Sequence, residues 1–307
     1  MKNENVDVKE KIANEVIKDF VWRRRWRLVT WIGVSIFAMF AIVKYLLAYG
    51  LPTVGDQIAV IGIKGEIGQG QLASADKVVP VLRSAFENEN VKVVVLEINS
   101  GGGSPSEAER ITSEIDRLKK KHPKPIVSVI GGLGASAAYM IAVHTDNVVA
   151  GKYSLVGSIG VIMQGYDAHK LAERLDIKQH VYASGPFKDL MNPLHEPTDA
   201  EKKVLQAIVD NAAQAFIAEV KEKRGEKLTR DDIYTGEVWN GLDAVKFGLI
   251  DKIGTLESVT AGYGDLKVSN FGPNLKSPFS ANFAHALGAG FAEGALTLGK
   301  QQIEYVK

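Results

Sequence analysis

Two residues offer the parts of an acyl-transfer site. Ser136 stands in the small-residue stretch Gly131-Gly132-Leu133-Gly134-Ala135-Ser136-Ala137-Ala138-Tyr139, and Lys188 in the later stretch Ser184-Gly185-Pro186-Phe187-Lys188-Asp189. A serine hydroxyl is a weak nucleophile until a base takes its proton, and a lysine serves as that base only where desolvation keeps it neutral. A third stretch, Asn99-Ser100-Gly101-Gly102-Gly103-Ser104, is a glycine loop whose N–H groups can approach a developing oxyanion with no Cβ in the way. Phosphate binding is the competing use of such a loop, but Gly-Lys-Ser/Thr and G-x-G-x-x-G are both missing. Alone, a serine at a helix start is ordinarily a cap and a lysine ordinarily a solvated surface charge.

The histidines do not compete for the base. His144 follows Ser136 by one short helix and reads as the end of that helix, where a cation is favourable. A Ser-His-Asp arrangement would need a histidine near Gly157 to Val161, and none is there. His122, His169, His180 and His195 have no ligand spacing, so neither metal nor cofactor is expected.

These groups must be held by regular elements, and the chain alternates strand and helix. Gln57 to Ile67 predicts a strand, and Ser74 to Glu87 a helix interrupted near its start by Pro80. Val91 to Ile98 reads as a strand buried on both faces, and Ser106 with Glu109 as a capping box opening a helix to about Lys121. Pro125 to Ile130 is the next buried strand, ahead of the Ser136 turn and its helix. Asn147 to Ala150 and Ser158 to Met163 follow as short strands, Asp167 to Leu175 as a helix, and Lys178 to Ala183 as a strand leading into the lysine loop. Thr198 with Glu201 forms a capping box for a long helix to about Arg224. Asn240 to Phe247 is a helix stopped by Gly248, and Leu249 to Ile253 returns to the sheet. The alternation predicts an α/β fold.

Length and composition fit one core with appendages: 307 residues, 46% hydrophobic, net charge +1. That charge argues against a surface that coats nucleic acid. Arg23, Arg24, Arg25 and Arg27 nevertheless cluster beside Trp22 and Trp26, immediately before a run free of charge from Leu28 to Val43. The run is near the ~20 residues that cross a bilayer, and its lead-in matches the positive-inside rule and an interfacial tryptophan belt. Many charged residues precede the run and no small-x-small cleavage site follows it, so an uncleaved anchor is expected rather than a removed signal. The absence of cysteine fits an extracytoplasmic domain. The expected organisation is a cytoplasmic basic segment at 1–27, an anchor at 28–50, a linker at 51–56, a catalytic domain at 57–267 and a flexible or conditionally ordered tail at 268–307.

In order along the chain, five strings resemble motifs of peptidase family S49, the signal peptide peptidase A family, in its short single-domain bacterial form. They are Asn99 to Gly103, Gly131 to Ser136, Gly157 to Val161, Gly185 to Asp189, and Val238 to Gly241 with Gly248 to Asp251. The resemblance implies a ClpP/crotonase-like fold behind an N-terminal transmembrane helix. It implies Ser136 as nucleophile, Lys188 as general base and Ser158 as the hydroxyl that positions the amine. Gly103 and the N–H of Ala137 would form the oxyanion hole, with Gly102 the alternative donor.

The implied activity is a Ser-Lys endopeptidase of the bacterial cytoplasmic membrane that cleaves remnant signal peptides and other hydrophobic peptides. Its partners would be peptide substrates, the membrane and further copies of itself in a homo-oligomeric ring, whose neighbouring protomers can share one site. Departures from the family pattern are Gly101 in place of proline, Ala137-Ala138 in place of Gly-Gly, and the apolar Pro186-Phe187, which would help desolvate Lys188. Other readings are a Ser-Lys protease of stomatin-like membrane proteins, a phage capsid-maturation protease, acyl-CoA chemistry on the crotonase scaffold, and an inactive anchored assembly factor. The anchor disfavours the phage protease, the anchor and the serine-lysine pair disfavour acyl-CoA chemistry, and the intact motifs disfavour the inactive factor.

Overall fold

A computed structural model describes residues 4–49 and 55–273, which divide into the units Met1–Gly55 and Asp56–Lys307. The first is one helix, α1 (Glu4–Tyr49), of 46 residues. Helix therefore extends through most of the segment read as the basic lead-in. Within α1, Val21–Lys44 is long and apolar enough to cross a membrane, and its side chains are exposed, with Trp22 edge-on to Trp26 at 5.6 Å. Residue 50 of the expected anchor and residues 51–54 of the expected linker lie outside the described residues.

The second unit is built on an eight-stranded sheet. Its elements are β1 (Gln57–Lys64), α2 (Ala75–Glu87), β2 (Val91–Ser100), α3 (Pro105–Lys121), β3 (Ile126–Ala135), α4 (Ala137–Val143), β4 (Asn147–Ala150), β5 (Leu155–Gly157), α5 (His169–Arg174), α6 (Asp199–Arg224), β6 (Val238–Asn240), α7 (Gly241–Lys246), β7 (Lys252–Ile253), α8 (Leu256–Ala261) and β8 (Lys267–Gly272). The strand order is β6-β5-β3-β2-β1-β8, with β4 pairing β3 and β7. All pairs are parallel except β5 with β6. The expected α/β class is the one observed.

Alternate side chains of the central strands enter two cores. Ile58, Val60, Val93, Val95, Val127 and Val129 face one way, over α8; Ile61, Ile63, Leu96, Ile98 and Ile130 face the other, with the buried sides of α2, α3, α4 and α6. Burial on both faces explains why β2 reads as a continuous apolar run. β3 divides its pairing: Val127 to Ile130 run beside β4, and Leu133 to Ala135 beside β5. The second half of β3 is what carries the chain to Ser136.

Several local expectations are corrected. Pro80 sits inside a continuous α2, because the helix buries Val78, Leu82, Ala85 and Phe86 while Pro80 faces solvent, where its ring displaces no core side chain. The Ser106/Glu109 capping box does not form. Pro105 occupies the first helical position of α3, Ser104 precedes it, and Glu107 instead accepts the buried Ala75 N–H of α2 at 2.7 Å. Ser158 to Met163 is no strand, since Gly157 (φ 113) and Ser158 (φ 50) turn the chain out of extended geometry. Lys178 to Ala183 is no strand either: these residues are exposed and have no neighbouring strand with which to form a ladder. At the other end, β8 starts at Lys267, the last residue of the expected domain, and continues through Gly272 in the region read as tail, where its backbone pairs with β1 at the sheet edge. Residues 274–307 of that tail lie outside the described residues.

Buried charge ties the helices together. Arg224, 3% exposed, donates to Gly248 O at 2.7 Å and forks onto Asp251 at 3.1 and 3.3 Å; Asp251 also accepts the Val148 N–H at 2.7 Å. Burial pushes the Asp251 carboxyl up, but bonds from Arg224, Lys227 and Val148 outweigh it and hold the group below its ordinary range. Glu114 of α3 accepts from Arg117 at 2.7 and 2.8 Å and from Arg83 of α2 at 2.6 Å. Arg117 first, then Arg83, lower its pKa from 4.5 to about 2.

A carboxylate lowered on folding stabilises the protein fully above its unfolded value and loses that contribution as pH falls through the folded one. Glu114→Gln is therefore expected to cost roughly 1–3 kcal/mol near neutral pH. Urea unfolding should show the variant and parent converging as pH drops from 4.5 toward about 2. A difference that stays constant over that window would contradict the assignment.

Candidate active site

One residue joins β3 to α4. Ser136 has φ 54 and ψ −126, outside the basins an L-residue favours, and its N–H donates to Gly157 O at 2.8 Å while its carbonyl accepts from Met140 N–H at 3.0 Å. A serine on a sharp strand-to-helix turn projects its hydroxyl from the end of the sheet, the geometry of a nucleophile elbow. The helix that follows cannot drift. All seven residues of α4 are buried, and the Tyr139 hydroxyl donates to Leu249 O at 2.8 Å. Complete burial pushes the Tyr139 phenol up, so it stays a neutral donor.

The register brings Ser158 alongside. Ala135 pairs with Gly157 in the parallel β3–β5 ladder, so Ser136 and Ser158 each leave the end of neighbouring strands at positive φ. Ser158 N–H is taken by Glu237 O at 2.7 Å.

The glycine loop closes the third side. Ser100 pairs with Gly134, and the loop crosses back toward Ile67, whose N–H donates to Gly102 O and whose carbonyl accepts from Ser104 N–H. A Cβ on Gly102 (φ 103) would meet Ser136 Cβ at 2.8 Å and Ala137 N at 3.0 Å; one on Gly103 (φ 147) would meet Ile67 O at 2.1 Å. Both positions therefore exclude side chains, and Gly102 lies directly against the serine. Its own N–H is engaged by Ser100 Oγ at 3.1 Å, whereas the N–H groups of Gly103 and Ala137 bond no described residue. Two further residues steady this loop without having been singled out from sequence: Ser100, and Asn99, whose Oδ1 accepts the Leu133 N–H at 3.2 Å. Their signal was the Asn-Ser pair opening the glycine run.

Lys188 is not brought in. It lies in an exposed turn, with its N–H bonded to Gly185 O at 3.2 Å, and its ammonium contacts no polar group among the described residues. Phe187 is 42% exposed, so Pro186-Phe187 do not bury the lysine within one chain. His144 ends α4 as expected, held between Glu219 at 2.6 Å and Asp116 at 3.0 Å, away from the hydroxyl chemistry. Among the described residues no cluster of His, Cys, Asp and Glu could hold a metal.

The model of peptidase family S49 matches residues 118–267. A Methanocaldococcus jannaschii protein described as a protease is 34% identical over 214 residues, 66% of this chain and 68% of the relative. An Enterococcus faecium protein described as a signal peptide peptidase SppA is 32% identical over 207 residues, 66% of this chain and 60% of the relative. A solved structure of a membrane-bound stomatin-specific protease aligns at TM-score 0.44 with 16% identity, over 75% of this chain and 99% of that one.

The tight contact at Gly102 has a measurable consequence. Gly102→Ala forces the loop and Ser136 apart, and a displacement of about 1 Å at a catalytic atom costs on the order of 100-fold in rate. Peptide hydrolysis by the purified variant should fall by about that much; parent-like turnover would contradict the packing.

Proposed function

Because the chain belongs to peptidase family S49, we propose that it is a membrane-anchored serine endopeptidase that uses Ser136 as nucleophile and Lys188 as general base. One observation carries the reading: Ser136 sits on a strained strand-to-helix turn with the Gly102-Gly103 loop packed against it. Ser136 Oγ attacks the scissile carbonyl as Lys188 takes its proton. The oxyanion accepts from the N–H groups of Gly103 and Ala137, which have no partner among the described residues, while Gly102 is disfavoured as donor because Ser100 already occupies its N–H. Lys188 returns the proton to the leaving amine, and water then releases the acyl group from Ser136 in the reverse sequence. Ser158, at the end of the adjoining strand, is the hydroxyl that orients the amine.

The exposed position of Lys188 supports a site completed between protomers of a ring. So do exposed apolar side chains elsewhere in the same segment, Ile162, Tyr166 and Tyr182 at 78, 92 and 96%, since an oligomer interface buries such side chains. The Val21–Lys44 span, with its charge-free run from Leu28 to Val43 and the arginines that lead into that run, supports an anchor at 28–50 with residues 1–27 in the cytoplasm and the domain at 57–267 outside it. The SppA-described relative supports remnant signal peptides and other hydrophobic peptides as substrates.

Ser136→Ala should abolish hydrolysis of a hydrophobic peptide while the protein folds and assembles, and Lys188→Ala should lower it by roughly 10²–10⁴-fold. Retained activity in either purified variant would overturn the assignment.

A further inference from the structure

The turn that bears Lys188 is fastened through the next residue. Asp189 Oδ2 accepts from Asn192 Nδ2 at 2.8 Å and faces His195 Nδ1 at 3.5 Å. The other ring nitrogen of His195, Nε2, lies 3.3 Å from Glu201 Oε2. Glu201 is the capping carboxylate of α6: it accepts from Thr198 N–H at 2.7 Å and from Thr198 Oγ1 at 2.9 Å, and its side chain is 8% exposed. Those bonds, led by the Thr198 N–H and followed by the Thr198 hydroxyl and His195, hold Glu201 below the usual carboxylate range. The far end of α6 is fixed in turn by buried Phe216 and Val220 and by the Arg224–Asp251 fork. A line of polar contacts thus runs from the residue beside Lys188 to a helix seated in the core, and an imidazole bridges its middle.

Nothing packed replaces that bridge. Behind it lies a cavity of about 340 Å³, lined by Met163, Tyr166, Met191, His195 and Leu205 among others. Neighbouring residues of the loop have no regular structure and are largely exposed.

We propose that His195 is a positioning residue: through Asp189 on one side and Glu201 on the other, it fixes the turn that presents Lys188 to the reacting serine. The inference rests on Lys188 being the general base. It assigns work to a histidine that has no partner in the dyad and no metal-ligand spacing, and it predicts that His195 governs turnover rather than substrate affinity.

The test uses the full-length protein, with kcat and KM measured on a fluorogenic hydrophobic peptide. His195→Ala is expected to lower kcat about tenfold with KM changed less than about twofold, a partial loosening of the base rather than its removal. His195→Gln, whose amide N–H groups can donate to both carboxylates, should recover most of the loss. Asp189→Asn, which keeps the side-chain shape, should reproduce it if His195→Ala proves too unstable to assay. The His195→Ala/Asp189→Asn pair should be no worse than the worse single change, as for two parts of one strut. Parent-like kcat in His195→Ala, failure of Gln to improve on Ala, or fully additive losses would each overturn the proposal. Lys188→Ala separates the two readings: if it retains activity, the base assignment fails; if it is inactive while His195→Ala turns over normally, only the strut fails.

Discussion

Between β3 and α4 there is one residue and no slack. Ser136 has to turn the chain by itself, and a non-glycine residue in its conformation costs on the order of 1–3 kcal/mol, so it persists only where its surroundings over-determine it. Here they do. Its N–H is held by the end of β5, its carbonyl starts α4, and the Gly102 backbone stands where any side chain would push it away. The hydroxyl is therefore aimed before substrate arrives.

The far end of α4 is pinned as firmly as its start. His144 lies between Glu219 of α6, at hydrogen-bond distance, and Asp116 of α3, a close charge contact without aligned hydrogen-bond geometry. Lys223 of α6 reaches the same Asp116 at 3.0 Å. Burial raises the Asp116 carboxyl, but Lys223 and His144 together bring it below its ordinary range. A seven-residue helix thereby joins a strained serine at one end to a charge cluster at the other. α6 thus meets α4 and its anchor at two points, His144 through Glu219, and Arg224, whose bond to Gly248 O lies next to the Leu249 carbonyl that accepts from Tyr139.

The segment between Ser158 and Thr198 is organised differently. It contains the short α5 as its one helix, and its large apolar side chains are mostly exposed. Polar contacts hold it where packing does not, through Asn192, Asp189, His195 and Glu201. The Ser136 turn is thus a property of the core, and the Lys188 turn a property of a surface segment. A rigid serine and an adjustable lysine on the same chain are compatible with a site that becomes competent on assembly.

Much of this was legible in the sequence because local rules and tertiary demands coincide. The apolar runs of β2 and β3 fit only strands buried on both faces; Thr198 and Glu201 cap α6 as their spacing requires; and the glycine loop precedes the serine turn by one helix and strand in sequence, which the β2–β3 pairing turns into direct contact. The sequence also determined the chemistry on offer, since residue type alone says which groups can attack, donate or anchor. It could not show that Gly102 rather than Gly103 has its N–H engaged, because that depends on Ser100 folding back. Nor could it show that Glu107 leaves α3 to cap α2, or that Val268 onward completes the sheet beside β1, since each depends on a partner distant along the chain. The strand expected at Lys178 to Ala183 failed for the same reason: strand propensity is local, but a ladder needs a neighbour. The sequence alone determined which residue types stand where; which of them meet, and the conformation Ser136 must hold, were decided by long-range pairing.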